Sequence, residues 1–388
     1  MTISESAQAM QEHLIELRRD FHAHPEISRE EKETSERILR ELRAIGGYEI
    51  VSGVNGCGII AELNVPGSTK TVVLRADMDA LQLTEETNLP FASENPGVMH
   101  GCGHDAHITM LLGAARLLAE RRDALRCRVR LLFQPAEELA PVGGAKGMIA
   151  AGAMKDTDAV FGLHVWPGLA KGVFATKAGA LMAASDHFTI RLTGRSAHGA
   201  RPQDGIDTVV AGAQIVTALQ SVVSRSVDPL RSAVITVGRF HAGTRYNIVA
   251  EHCELEGTVR TYDPAVRELC AERIRAIAEG IAAAMGCLCE IDYGRGYCAV
   301  ENDPAMADRL LGKAAALFGE EYALRVSEPA MTAEDFAFYL KEAPGCFAWL
   351  GTDEPGKPSP PLHSNRMTVP EDILWRGSAL LAGLALDM

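Results

Sequence analysis

The run Met99-His100-Gly101-Cys102-Gly103-His104-Asp105-Ala106-His107 places one thiol, three imidazoles and one carboxylate within nine residues. Gly101 and Gly103 flank Cys102, so the backbone can bend tightly around it. Downstream, Ile108, Leu111, Leu112, Ala115 and Leu118 recur at helical spacing, with Asp105 in position to cap the helix. This pattern predicts Cys102 and His104 in a turn at a helix N-terminus. There the helix dipole lowers a thiol's pKa and favours the thiolate, the form that binds metal. His100 and His107 read as capping or core residues.

Other segments supply further donors. The apolar strand Val72-Val73-Leu74-Arg75-Ala76 runs into Asp77-Met78-Asp79, and the C-terminal end of a strand is where an open α/β sheet places its chemistry. Val129-Arg130-Leu131-Leu132-Phe133-Gln134 runs into Pro135-Ala136-Glu137-Glu138. Adjacent side chains of an extended segment point to opposite faces, so one of Glu137 and Glu138 can face a metal while its neighbour faces something else, such as a metal-bound water. A third apolar strand, Ala159-Val160-Phe161-Gly162-Leu163, ends in His164, and a loop beyond the strand Cys346-Phe347-Ala348-Trp349-Leu350-Gly351 carries His363. Cys102, His104, Glu138, His164 and His363 are more ligands than a single catalytic zinc uses, and they suit two metals. Such a pair polarises a carbonyl and lowers the pKa of water toward neutrality. Glu137 is placed to take the water's proton, and His198 is a donor for the oxyanion of an acyl-transfer reaction. The chemistry is metal-assisted hydrolysis of an amide, ester or related bond. Two other classes use part of the same set: a hydrolase with Cys102 as nucleophile and a His as base, and a non-catalytic metal-dependent binding protein.

The elements that position these residues follow from pattern. With 388 residues, 47% hydrophobic and 23% charged, the chain suits a globular protein of two domains. A net charge of −13 argues against a nucleic-acid partner or an anionic membrane surface. No basic, then apolar, leader opens the sequence, and no apolar run is long enough to span a bilayer. Nine scattered cysteines fit a reducing cytoplasm, with Cys287 and Cys289 read as packing residues. No phosphate-binding fingerprint of Rossmann or P-loop type is present.

Helices are expected over 4–20, 31–45 and 106–122, the first ended by Pro25, with a strand over 58–63. Strands alternating with helices predict an α/β domain with a mixed, mostly parallel sheet flanked by helices. From Asp186 the pattern changes: Phe188, Ile190 and Leu192 alternate with Thr189, Arg191 and Thr193. A helix over 205–224, strands over 232–240 and 247–260, a helix over 264–285 and a strand over 287–294 complete a βαββαβ order, the ferredoxin-like arrangement. The first pattern returns with helices over 304–318, from Met331-Thr332-Ala333-Glu334-Asp335-Phe336, and from 371. The expected division is therefore 1–185 and 298–388 as a catalytic domain, with 186–297 an inserted α+β domain that dimerises through part of its sheet or a helix.

Seven motifs in order carry a resemblance: Arg75-Ala76-Asp77-Met78-Asp79-Ala80-Leu81, the Met99–His107 run, Gln134-Pro135-Ala136-Glu137-Glu138, Gly162-Leu163-His164, Gly194-Arg195-Ser196-Ala197-His198, Asn247 through Glu256-Gly257-Thr258-Val259-Arg260, and Leu362-His363-Ser364. Together the chain resembles the amidohydrolase/carboxypeptidase metallopeptidases, in the branch of hippurate hydrolase, N-acyl-L-amino-acid amidohydrolases and plant auxin-conjugate hydrolases. The resemblance implies a di-metal peptidase-type domain with an inserted dimerisation or lid domain, a homodimer or homotetramer, and an N-acyl amino acid as substrate. It implies Cys102, His104, Glu138, His164 and His363 as ligands of zinc or manganese, with cobalt or nickel also accepted, and Glu137 as general acid/base. Asp79 looks like a carboxylate that orients a metal ligand, and Asp77 stands where related branches carry a ligand His. His198 looks like a residue that reaches a neighbouring subunit's active site, and Asn247 and Arg260 like contacts for the substrate carboxylate. Thr332-Ala333-Glu334, Tyr246-Asn247-Ile248-Val249-Ala250 and Cys298-Ala299-Val300 depart from the usual pattern, so the acyl and amino-acid preferences are not carried over.

Overall fold

Every residue of the strand Thr71–Asp77 is buried, and it lies inside an eight-stranded sheet. The computed structural model describes residues 1–388, and the chain divides into two units. The first comprises Met1–Leu181, Val300–Glu328 and Asp335–Met388; the second comprises Met182–Ala299 and Pro329–Glu334.

Across the sheet of the first unit the strands run Glu49–Val54, Gly58–Leu63, Arg128–Gln134, Thr71–Asp77, Ala159–Ala170, Gly345–Asp353, Phe174–Thr176 and Ala323–Arg325. The central pairings are parallel, with Val72 level with both Val129 and Ala159. Asp77 lies level with Gln134, and His164 with Trp349. Parallel register therefore delivers Asp77, Asp79, Glu137, Glu138 and His164 toward one edge of the sheet. The hairpin Glu49–Val54/Gly58–Leu63 is antiparallel, as is the pairing of Phe174–Thr176 with Gly345–Asp353, which makes the sheet mixed.

The helix His104–Glu120 is buried from His104 to Ala115. A helix that is apolar all round belongs in a core. Here it shares one cluster with Leu14 and Phe21 of Gln11–Ala23, Ile38 and Leu42 of Lys32–Ile45, and Leu380, Leu381 and Leu384 of Leu374–Leu386.

Several boundaries differ from expectation. The first helix is two, Ile3–Ala9 and Gln11–Ala23, the first opened by a capping box of Thr2 and Glu5. The strand carrying His164 continues to Ala170, because its pairing with Gly345–Asp353 extends that far. The strand Glu49–Val54 was not anticipated; only Val54 in it is buried, so no apolar run marks it.

In the second unit Ala233–Ala242, His252–Thr261, Ala184–Thr193 and Leu288–Arg295 form an antiparallel sheet in that order. The helices Thr208–Ser221 and Pro264–Met285 complete βαββαβ. Phe188, Ile190, Cys253, Leu255 and Val259 share a core with Ile215, Leu219, Cys270 and Ile274. The expected strand 247–260 is instead a short Ile248–Val249 and a separate His252–Thr261. Pro329–Glu334 joins this unit because Ala183 N–H donates to the carbonyls of Ala330 and Thr332.

Asp186 is the polar hub of the unit. It accepts from both Nε and Nη2 of Arg267, from the Tyr293 hydroxyl at 3.0 Å, from Arg295 Nη1 at 3.2 Å and from Gly296 N–H at 3.1 Å. All nine cysteines are free thiols. No helix is long and apolar enough to cross a membrane.

Candidate metal centre

Helix His104–Glu120 begins two residues earlier than predicted. Gly103 occupies the N-cap at φ 86°, and a Cβ there would meet Val165 Cγ2 at 2.4 Å, so glycine is required both by the turn and by the close approach. Asp105 is consequently in the first helical turn and is not the N-cap. Its Oδ2 accepts from Arg18 Nε at 2.7 Å and lies 2.9 Å from His22 Nδ1.

The turn brings Cys102, His104 and His164 together, their ligand atoms all within 4.8 Å of one another. Two overlapping groups meet the same limit: Cys102 with Glu138 and His363, and His104 with Glu137 and Glu138. Cys102 Sγ is 3.4 Å from His164 Nε2, and His363 Nε2 is 3.1 Å from Glu138 Oε1. His363 reaches the turn because its N–H donates to the Gly101 carbonyl at 2.9 Å. All five expected ligands and Glu137 thus converge. His164 Nδ1 lies 2.6 Å from the Val165 carbonyl, which only accepts. The proton is therefore on Nδ1, and the Nε2 lone pair faces Cys102.

Carboxylates surround these donors. Asp79 Oδ1 lies 3.3 Å from His104 Nδ1. The same carboxylate accepts from Glu137 N–H at 3.1 Å and Glu138 N–H at 2.9 Å. Burial alone would lower the His104 pKa, but Asp77, Asp79 and Glu138 outweigh it and raise it to about 10. The Cys102 thiol is pushed well above its usual value by burial and then by Glu138, Glu137 and Asp77. Without a bound cation, burial and then the nearby carboxylates outweigh the helix dipole and favour the thiol. A thiolate here requires cations. The donor set fits them. Both ring nitrogens of His104 and Oε1 of Glu138 are buried without a hydrogen bond, and soft S, imidazole N and carboxylate O are the ligand types of zinc and manganese sites.

Several polar residues that sequence reading left out hold the centre in place. Arg75 is 1% exposed and donates from Nε to Gln134 Oε1 at 2.9 Å, from Nη1 to Asp77 Oδ2 at 2.6 Å and from Nη2 to Asp335 Oδ1 at 2.9 Å. Asp335 Oδ2 also accepts from the N–H groups of Gly144 and Ala145, and its own N–H reaches Glu137 Oε1 at 3.4 Å. The available signal was a cation inside an apolar strand, since a buried Arg demands partners.

His198, Asn247 and Arg260 belong to the second unit. Exposed His198 sits on Ala197–His198, which pairs with Ile248–Val249. Its Nδ1 accepts from Ala200 N–H at 3.0 Å, so the neutral ring carries its proton on Nε2. Asn247 Oδ1 is buried without a hydrogen bond. Arg260 donates to Thr258 Oγ1 and to the Val259 carbonyl, and burial lowers its pKa.

Residues 73–387 match peptidase family M20/M25/M40. The chain belongs to this family. Among its M20 relatives, the N-acetylcysteine deacetylase of Bacillus subtilis (strain 168) is 40% identical over 374 residues, 96% of each chain. The N-acyl-L-amino acid amidohydrolase of Geobacillus stearothermophilus is 44% identical over 289 residues, 74% of this chain and 78% of that one. A solved Bacillus subtilis structure described as a dinuclear metal binding peptidase from the M20 family superimposes with a TM-score of 0.84 at 37% identity, covering 98% of both chains.

Proposed function

We propose that this M20 protein hydrolyses the amide bond of an N-acyl amino acid, releasing a carboxylate and a free amino acid, with two divalent metal ions held by Cys102, His104, Glu138, His164 and His363. The observation that carries the reading is the convergence of these five donors around Glu137, within overlapping groups whose atoms lie within 4.8 Å. Divalent ions bound there polarise a carbonyl and lower the pKa of water toward neutrality. Glu137 takes the water's proton on its carboxylate and passes it to the leaving amine nitrogen as the C–N bond breaks. Asp79 fixes the backbone of Glu137 and Glu138 and faces His104, so both carboxylates keep their aim. His198 donates a hydrogen bond from its Nε2–H to the oxyanion and keeps the proton, and Asn247 and Arg260 take the substrate carboxylate.

The second unit, read as a lid and dimerisation domain, supports a homodimer or homotetramer. Val209 and Val210 on helix Thr208–Ser221 are 42% and 45% exposed, and the edge strand Ala233–Ala242 is unpaired on one side. Light scattering at micromolar protein tests this. The free, scattered thiols support a cytoplasmic location.

The Cys102-nucleophile alternative is disfavoured by burial and by the adjacent carboxylates, which hold the thiol protonated. The test is free-amine release from a panel of N-acyl amino acids, by chelator-stripped protein and by protein refilled with zinc or manganese. Turnover only after refilling is expected, and turnover by verified metal-free protein would replace the reading with the Cys102 nucleophile.

A further inference from the structure

Ala136 is 1% exposed and adopts φ 58°, a left-handed conformation that L side chains rarely take. It precedes Glu137 and Glu138, whose carboxylates both reach the centre but take different neighbours. Glu137 Oε1 reaches the Asp335 N–H, while Glu138 Oε1 lies beside His363 Nε2. Three successive N–H groups of this turn point at two buried carboxylates. Glu137 and Glu138 donate to Asp79, and Ala136 donates to Glu31 Oε1 at 2.8 Å.

Glu31 is 0% exposed and immediately precedes helix Lys32–Ile45. The loop that carries it is itself fixed to the site. Ala80 N–H donates to the Glu26 carbonyl at 2.8 Å, and Ser28 Oγ donates to Asp79 Oδ2 at 2.6 Å. The Glu26 carboxylate accepts from Thr34 N–H at 2.8 Å. A carboxylate buried only to fill space is costly, and an apolar residue would serve better. A hydrogen bond accepted from the one amide at the strained residue is a specific use for it.

We infer that Glu31 is a positioning residue: its bond to the Ala136 N–H holds the left-handed turn that sets Glu137 and Glu138 on their separate tasks. The inference rests on the hydrolase reading above.

The test uses full-length Glu31→Ala, Glu31→Gln and the double variant Glu31→Ala/Ala136→Gly. Three quantities are measured: kcat and KM on the best N-acyl amino acid, the d–d absorption of the Co²⁺-loaded protein, and Tm. Glu31→Ala is expected to lower kcat about 10- to 100-fold with KM nearly unchanged, and to alter the Co²⁺ bands, because Glu138 is a ligand. Glu31→Gln keeps an acceptor oxygen and stays near wild type. Adding Ala136→Gly to Glu31→Ala restores most of kcat and the bands, since glycine takes a positive φ without strain. Wild-type kcat and bands in Glu31→Ala, with only Tm lowered, would overturn the inference, as would absence of rescue by Ala136→Gly. If Glu31→Ala does not fold, Glu31→Leu fills the volume without an acceptor and carries the same expectations. Failure of the wild type on every N-acyl amino acid would count against the hydrolase reading, while the Co²⁺ bands would still decide Glu31.

Discussion

His107 Nδ1 lies 2.6 Å from Asp77 Oδ1, and the far nitrogen of the same ring accepts the Val165 N–H at 2.9 Å. The Val165 amide can only donate, so the ring is neutral with its proton on Nδ1, directed at Asp77. The lone pair that would bind a metal is taken. Asp77, His104 and His107 are close enough to form a metal group by distance, but His107 is occupied on both sides and acts as a brace between two strands and a helix.

That arrangement predicts a stability effect without loss of metal. His107→Ala leaves the Val165 amide without its partner and strips Asp77 of one, costing about 1–3 kcal/mol for the unsatisfied group before any cavity cost. Urea unfolding should show the loss, and elemental analysis should still find two metals per chain. A variant that unfolds at the wild-type urea concentration and carries one metal fewer would make His107 a ligand instead.

Glu137 lies within reach of the centre, and the proposed function assigns it the proton transfer. Glu137→Gln should keep two metals and lower kcat by about 10²- to 10⁴-fold, the usual contribution of a general acid/base. Steady-state kinetics with metal content measured on the same sample checks this. Undiminished turnover would remove Glu137 from the mechanism.

Asp186 predicts a pH effect. Burial pushes its pKa up, but the hydrogen bond and charge of Arg267, with Gly296 N–H and the Tyr293 hydroxyl, more than offset this and hold it below the usual 3.8. A carboxylate depressed on folding stabilises fully above its unfolded pKa, and that stability drains away as pH falls toward the folded value. Asp186→Ala should therefore cost about 3–5 kcal/mol at neutral pH, the price of breaking a buried ion pair. The deficit should shrink below about pH 4, where wild type loses the same interaction. Denaturant titrations across pH 2–8 read this directly, and a deficit independent of pH would be the contrary result.

His198 predicts complementation. If its Nε2 proton serves a neighbouring subunit, mixed dimers of His198→Ala and Glu137→Gln chains should regain part of the wild-type turnover that neither homodimer shows. The assay is amine release from an isolated, verified heterodimer. A heterodimer as inactive as its parents would place His198 in its own subunit's chemistry.

The candidate donors were legible in the sequence because each borders an apolar segment that reads as a buried strand or helix. Cys102 and His104 precede a continuous apolar helix, Glu138 follows Arg128–Gln134, and a parallel sheet delivers such ends to one edge. The βαββαβ order of the second unit was equally readable, because apolar and polar residues alternate over 188–193 in sequence and burial alternates strictly along His252–Thr261. Tertiary structure alone decided the rest. Asp105 looks like a cap in one dimension, yet it pairs with Arg18, 87 positions away, because Gly103 starts the helix earlier. The protonation of Cys102 depends on three carboxylates from two other segments, and no local pattern reports their distance. Glu31 bonds Ala136 across 105 positions. Local sequence determines which residues stand at the ends of elements, through periodicity and backbone preference. Which polar groups then share a buried space, and so which one holds a proton, a metal or only a backbone amide, depends on packing between distant segments.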